Sequence, residues 1–392
     1  MRFLRPAAGC GRRVVTQGGG RPLRVLLVTP DFPPGVGGVQ SVMHRIAAAM
    51  PNADVTVLTP DAPGAAAFDR TASVRVRRVR VPAGPPKLRS AAFNARGLFA
   101  IRGLRPDVVL SGHIASSPLG VAAARLHRVP FVVYAHGKEV LGHPALAAWA
   151  LRSSAGAVAV SRFTRGLLLE TVGGRPHPPV HVIHPGVEIP PGPPPERLER
   201  ADRPFTMVTV GRLRDRYKGH DVVLEALPRV LERLPDARWI VIGDGRQRAE
   251  LEARAARLGV ALAVSFLGAV PDAEKDARLR EADVFVMPAR YPAGEVAVEG
   301  FAIVYLEAAA RGVPAIAGDV GGPREAVVDG ETGLLVDPES PERIAEAILS
   351  LAEDPARRRC LGDRARRRAA AEFTWEHVAG QLERLLRLVA QR

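Results

Sequence analysis

Cysteine is nearly absent: Cys10 and Cys360 are the only two in 392 residues. A pair so far apart builds no disulfide framework, so a reducing compartment, the cytoplasm, is expected. Long apolar runs are missing as well. Nothing approaches the roughly 18–20 uninterrupted apolar residues of a spanning helix. The opening residues 1–21 lack an apolar core of signal-peptide length and run into a triple glycine. They read as a disordered leader, or as a start site placed too far upstream, and are set outside the fold. Aromatic residues make up only 5%, and no nucleic-acid module is recognisable, so a basic nucleic-acid-binding protein remains a distant alternative. The glycine-rich turn after the first strand is not followed by Gly-Lys-Ser/Thr, which excludes a Walker A loop. It also lacks dinucleotide-fingerprint spacing and the acid about 20 residues later that a nicotinamide dehydrogenase needs.

Acidic residues are missing from one long stretch. Between Arg70 and Arg105 lie ten basic residues and no acid. The whole first half is lopsided: residues 1–195 hold 24 Lys+Arg and 8 Asp+Glu, so 24 − 8 = +16, against +14 for the full chain. Such a field attracts an anionic surface such as phospholipid or a charged acceptor. An arginine-rich solvated face explains the same composition.

The length allows two domains, each burying its own core. Short Val/Ile/Leu runs alternate with helix-like periodic segments, the pattern of α/β domains with parallel sheets covered on both faces. Strands are expected at 23–29, 53–59, 107–111, 131–135 and 157–161, then at 205–211, 238–243, 283–288 and 314–318, with a further strand end within 265–272. Between the halves runs the proline-rich segment "EIPPGPPPERLERADRP" (188–204), which can enter neither sheet nor helix interior and makes a stiff connector. The expected division is a Rossmann-like domain over 22–190, a linker over 191–203, a second Rossmann-like domain over 204–372, and a C-terminal helix over 373–392 that packs back on the first domain. Doubly wound sheets hold ligands at the carboxyl ends of their strands. Two such ends facing each other make a cleft.

Several strand–helix turns could carry chemistry there. Gly37 and Gly38 open a helix whose free amides suit a phosphate. His136, in "YAHGKEV", follows a buried strand. Arg212 and Lys218, in "GRLRDRYKGHD", put two cations at a strand end, as a diphosphate requires. Gly243 and Gly245 mark a third turn, and "SFLGAVPD", containing Val270, can present backbone groups to a flat base. Each feature is also what an ordinary turn or exposed loop looks like. "VEGFAIVYLE" is more pointed. Gly300 permits a sharp turn, a helix follows up to Gly312 and Pro314, and the amides of Phe301, Ala302 and Ile303 form its unpaired N-terminal set. Glu299 precedes that turn and Glu307 lies on the helix, so the two acids flank a helix end that favours anions.

From about residue 23 onwards the chain resembles the retaining glycosyltransferases of family 4. The resemblance rests on "GGVQ", "HGKE", "VSRFTR", "IHPGVE", "YKGHD", "GDGR", "EGFAIVYLE", "GVPAIAGDVGGPREAVVDGETGLLVDP" and "FTWEHV". Within the family, "TPDFPPGVGGVQS" and "VEGFAIVYLEA" look most like bacterial GDP-mannose-dependent mannosyltransferases acting on phosphatidylinositol mannosides. The resemblance implies a GT-B fold: two Rossmann-like domains facing across a cleft. It implies a nucleotide diphosphate sugar as donor, a hydroxyl acceptor, no separate cofactor and no nucleic-acid partner. Glu299 would bond the donor hexose with the amides of Phe301 to Ile303, and Glu307 the ribose. Arg212 and Lys218 would neutralise the diphosphate, with Gly38 approaching from the opposite domain and Gly37, Gly243 and Val270 also binding the donor. His136 would sit beside the sugar on the acceptor side, and Arg162 and Gly186 also match family positions.

No Asp-x-Asp occurs in the chain, so a metal-independent reaction is expected. Two departures stand out. Arg212 and Lys218 are six positions apart where the family often has five, and the family's Gly-Phe-Gly turn reads Gly300-Phe301-Ala302 here. Ala302 therefore adds a methyl beside the expected sugar path, and the loop 289–297 is a further candidate for selectivity. Mannose from GDP-mannose is the expected transfer, on the inner face of the plasma membrane with the Arg70–Arg105 stretch against anionic lipid. The alternative is a UDP-sugar donor with a polysaccharide or secondary-metabolite acceptor.

Overall fold

A computed structural model describes residues 21–192, 203–291 and 297–391. The expected leader, apart from Arg21, and most of the expected linker lie outside the described residues, as do residues 292–296 of the candidate selectivity loop.

The first lobe is a parallel sheet of seven strands: Leu23–Val28 (β1), Ala53–Pro60 (β2), Arg75–Val79 (β3), Val108–Ser111 (β4), Phe131–Ala135 (β5), Gly156–Ala159 (β6) and Val180–Val182 (β7). Its order is β3-β2-β1-β4-β5-β6-β7. The second lobe has six parallel strands: Thr206–Val210 (β8), Arg238–Ile242 (β9), Val264–Gly268 (β10), Val284–Met287 (β11), Ala315–Gly318 (β12) and Gly333–Val336 (β13), ordered β10-β9-β8-β11-β12-β13. Both sheets reverse direction of growth beside their first strand, the switch point at which open α/β sheets bind ligands. Strands β4, β5, β6, β11 and β12 are buried at every residue, which is why they read as unbroken apolar runs. Three edge strands were not expected. β3 reads "RVRRV", with Arg75 and Arg77 exposed along the edge, the charge placement that keeps sheet edges from pairing with other chains. β7 and β13 are short edge strands of three and four residues.

The expected acid-free basic stretch is not acid-free in space. Arg75 pairs with Asp54 at 2.6 Å and Arg78 with Asp69 at 2.7 Å. Its outer part is the helix Pro86–Ala100, which carries Lys87, Arg89 and Arg96 together with exposed Leu88 and Phe99.

The C-terminal helix Trp375–Ala390 returns to the first lobe. The Asn52 amide donates to Glu383 Oε2 at 2.9 Å, and Arg387 donates to the Asn52 carbonyl at 2.6 Å. At the crossing, Val187 N donates to the Phe373 carbonyl at 2.7 Å. A Cβ on Gly186 would lie 2.6 Å from the Trp375 ring, so this glycine lets the indole seat against the first lobe. One apolar cluster accordingly joins residues of both lobes, among them Val25, Tyr134, Phe285, Phe301 and Trp375.

Candidate active site between the lobes

On the second lobe, β8 ends in a loop closed by the single turn Arg216–Lys218. Lys218 is buried, and its Nζ lies 2.8 Å from Glu299 Oε2. Burial by itself would lower the lysine's pKa, but the Glu299 carboxylate, with a contribution from the ionisable Tyr217, outweighs it and holds the ammonium above its ordinary value. The Tyr217 ring lies 5.2 Å from the same Nζ. Arg212 is exposed, and its charge reaches both Lys218 and Tyr217. At the neighbouring strand end, Gly243 N donates to the Gly268 carbonyl at 2.8 Å. Val270, partly buried, follows β10.

The turn after Glu299 begins its helix later than expected. The helix spans Ile303–Ala310, not 301–312, because Ala302 takes a left-handed conformation with φ 66° and ψ 85°. Phe301 and Ala302 therefore precede the helix, and Ile303 is its first residue. The Ala302 methyl, expected to face the sugar path, is buried in the apolar cluster that joins the lobes. Glu307 is not a free carboxylate: Lys275 Nζ donates to its Oε1 at 3.0 Å. Lys275 stands on the helix Asp272–Glu281, and its pKa is raised because Glu307 and Asp272 outweigh its burial. Nothing in the sequence singled out this lysine, since only the folded sheet brings the two helices side by side.

On the first lobe, His136 follows β5. Its ring stacks on Tyr134 with centroids 5.0 Å apart, and Nε2 lies 2.9 Å from the Gly112 carbonyl. A carbonyl accepts only, so Nε2 carries the proton and Nδ1 is left as an acceptor in the neutral ring. Burial lowers the pKa of this imidazole, with Glu139 and the Gly112 carbonyl opposing. Gly37 caps the helix Gly38–Ala49, and a Cβ on Gly38 would meet nothing within 4 Å. Beside them Gln40 donates to Asp31 Oδ1 at 2.8 Å, and His113 Nε2 lies 3.9 Å from Asp31 Oδ2. Asp31 follows β1 and His113 follows β4, so this polar group sits at the first sheet's switch point.

The two halves of the site meet at Gly300. A Cβ there would lie 1.9 Å from the His136 carbonyl oxygen, and one on Gly137 would lie 3.2 Å from Gly300 Cα. Any side chain at Gly300 would hold the lobes apart. Nearby, Lys138 Nζ donates across the seam to Asp215 Oδ2 at 2.9 Å. Lys138 and Asp215 also escaped sequence reasoning, because each looks like an ordinary loop charge until the lobes are placed. Among the described residues, no group of three or more His, Cys, Asp or Glu could hold a metal ion.

A buried cation, an exposed cation and a helix N-terminus thus converge where the strand ends of two Rossmann-like sheets face each other. That arrangement can hold a doubly charged leaving group on one lobe and an acceptor on the other, and the molecule is a GT-B glycosyltransferase. Residues 36–189 match the family model "Glycosyltransferase Family 4", and residues 195–368 match "Glycosyl transferases group 1". The chain is 35% identical to the GDP-mannose-dependent α-(1-6)-phosphatidylinositol monomannoside mannosyltransferase of Mycobacterium tuberculosis, over 93% of this chain and 98% of that protein. It is 33% identical to the enzyme of Corynebacterium glutamicum named for the monoacylated acceptor, over 93% and 97%. Among solved structures, sucrose-phosphate synthase from Thermosynechococcus elongatus shares the fold with a TM-score of 0.77 at 22% identity, over 94% of this chain and 99% of that one. The chain belongs to family 4 of the glycosyltransferases.

Proposed function

We propose that this enzyme transfers mannose, with retention of configuration and without a metal, from GDP-mannose to a phosphatidylinositol mannoside. The observation that carries the donor and acceptor is the identity over nearly the full length to enzymes named for that reaction. In the reaction, the bond between the sugar's anomeric carbon and the diphosphate oxygen breaks as negative charge grows on the diphosphate. Lys218, Arg212 and the amides before Ile303 are fixed before that charge appears, so they stabilise it with little reorganisation. The acceptor hydroxyl attacks from the leaving-group side and passes its proton to the departing phosphate oxygen. No protein nucleophile and no cofactor beyond the donor are needed. Glu299 holds hexose hydroxyls while bonded to Lys218, and Glu307 holds the ribose with the oxygen that Lys275 leaves free. His136 Nδ1 accepts a hydroxyl on the acceptor side.

The enzyme works in the cytoplasm on the inner face of the plasma membrane. No helix among the described residues is long and apolar enough to cross a membrane. The contact assigned to anionic lipid is the helix Pro86–Ala100 and its flanks, where basic side chains adjoin exposed Leu88 and Phe99. A thermal-shift panel of GDP-mannose, UDP-glucose and UDP-N-acetylglucosamine, followed by transfer assays on purified phosphatidylinositol mannoside, tests the proposal. Stabilisation by a UDP-sugar but not by GDP-mannose overturns the donor, and no transfer to the lipid overturns the acceptor.

A further inference from the structure

The helix Arg162–Glu170 of the first lobe begins at the seam, and its four leading amides find their partners in two different lobes. Ser161 caps it locally: Thr164 N donates to Ser161 Oγ and Arg165 N to the Ser161 carbonyl, each at 2.9 Å. The first two amides reach across the seam instead. Arg162 N donates to Glu325 Oε2 at 2.9 Å, and Phe163 N donates to Glu325 Oε1 at 3.1 Å. A carboxylate of the second lobe therefore completes a helix N-terminus of the first, where its charge is also favoured by the helix dipole.

Glu325 is tied to the donor loop on its own side. It lies on the short helix Pro323–Ala326, directly after Gly322. A Cβ on Gly322 would lie 2.0 Å from the Gly300 carbonyl oxygen, so the two backbones are in contact. Gly300 in turn rests against His136 and lies close to Thr164 Oγ1. His184 closes the group, with Nε2 3.8 Å from Glu325 Oε2 and its ring stacked on Phe301 at 4.9 Å.

We infer that Glu325 is a positioning residue for sugar transfer: by capping helix Arg162–Glu170 across the seam it sets the register of the Gly300 loop against His136. The inference rests on the reading that the reacting sugar lies between those two points, and it does not depend on which sugar or base is bound. Glu325 touches no reacting atom. When the lobes part, water replaces both amide-to-carboxylate hydrogen bonds, so the clasp opens at modest cost and suits a cleft that must admit substrate.

A backbone variant isolates the clasp. Ser161 is extended, with φ −158° and ψ 164°, the conformation favoured before proline, and proline is well tolerated at the first helical position. Arg162→Pro therefore deletes one of the two amide donors, while Arg162→Ala removes the same side chain and keeps the donor. We expect Arg162→Pro and Glu325→Ala each to lower kcat about tenfold. Arg162→Ala should stay close to wild type, and Glu325→Gln, which keeps one acceptor oxygen, should fall between. Affinity for bare GDP or UDP, whichever binds the wild type by calorimetry, should be unchanged. Small-angle scattering of the nucleotide-free protein should show a larger radius of gyration for Arg162→Pro and Glu325→Ala only. Wild-type kcat and dimensions in both variants overturn the inference. So does a loss of kcat matched by equal losses of nucleotide affinity and melting temperature, which marks a purely structural residue. If neither nucleotide binds the wild type, the donor proposal fails, and the scattering comparison still decides the clasp.

Discussion

Lys218 and Glu299 stand 81 positions apart in the chain and 2.8 Å apart in space, each the other's ionic partner. Arg212, six positions earlier, is exposed and acts on the Asp215 carboxylate through its charge without the close buried pairing of Lys218. The two cations should therefore fail differently when removed. Lys218→Ala leaves the Glu299 charge unpaired, so it should cost about 3 kcal/mol of stability as well as activity. Arg212→Ala should leave the urea midpoint almost unmoved. Both should lower kcat by about 10²-fold, as loss of one donor to a developing oxyanion does. Near-normal turnover in both variants removes the diphosphate from this loop.

The two acids should separate sugar from nucleotide. Glu299→Gln should weaken the donor while leaving affinity for bare nucleoside diphosphate within about twofold, since its proposed contact is with the hexose. Glu307→Gln should weaken the bare nucleotide by roughly tenfold, the worth of one hydrogen bond to a charged group. Titration calorimetry with the diphosphate alone reads both. Equal losses contradict the division of labour.

Ala302 offers a test by sign. At φ 66° an alanine carries roughly 1–2 kcal/mol of strain that glycine does not, while glycine costs about 0.5–1 kcal/mol more in unfolded-chain entropy. Ala302→Gly should therefore leave stability unchanged or raise it by up to about 1.5 kcal/mol, whereas alanine to glycine inside a helix costs about 1 kcal/mol. A clear loss in urea denaturation means that the buried methyl contributes more to packing than its backbone costs.

Membrane docking predicts a salt dependence. Wild-type protein should sediment with liposomes containing acidic lipid, and binding should fall steeply as salt rises through the range where surface charges are screened. Replacing Leu88 and Phe99 together by serine should weaken binding even at low salt, because both are exposed on or beside the basic residues of one helix. Sedimentation indifferent to lipid charge and to salt points to an acceptor met away from the membrane.

Much of this fold could be read from local pattern. Strands such as β5 ("FVVYA") and β11 ("VFVM") are buried on both faces, and burial writes itself as apolar runs. β3 could not be read that way, because an exposed edge needs charge and "RVRRV" looks like a loop. The site divides along the same line. Glu299, Lys218 and His136 lie in strand-end motifs and are visible one at a time. What joins them is not local: the Lys218–Glu299 pair, the Lys275 contact on Glu307 and the Glu325 clasp exist only once strand order and lobe placement are fixed. Ala302 is intermediate, visible as a departure from a glycine pattern but showing its left-handed backbone only in the structure.

His220 supplies a pH signature of the second lobe. Both ring nitrogens are buried with no hydrogen-bond partner among the described residues. Burial pushes its pKa from 6.5 down to about 3, with the Lys218 charge acting in the same direction and Asp221 opposing. The unfolded imidazole takes up a proton below pH about 6.5, and the folded one stays neutral until far lower. Between those values the unfolded state binds more protons, so acidification should destabilise the fold, progressively from about pH 6.5 downward. His220→Leu removes the titrating group without breaking a bond. The drop in unfolding free energy from pH 8 to pH 5 should be smaller in the variant by about 1–2 kcal/mol. Denaturant titrations of both chains at the two pH values measure it. An identical drop in both would mean that the His220 ring is protonated as readily in the native protein as in the unfolded chain, and would overturn this account of its burial beside Trp239.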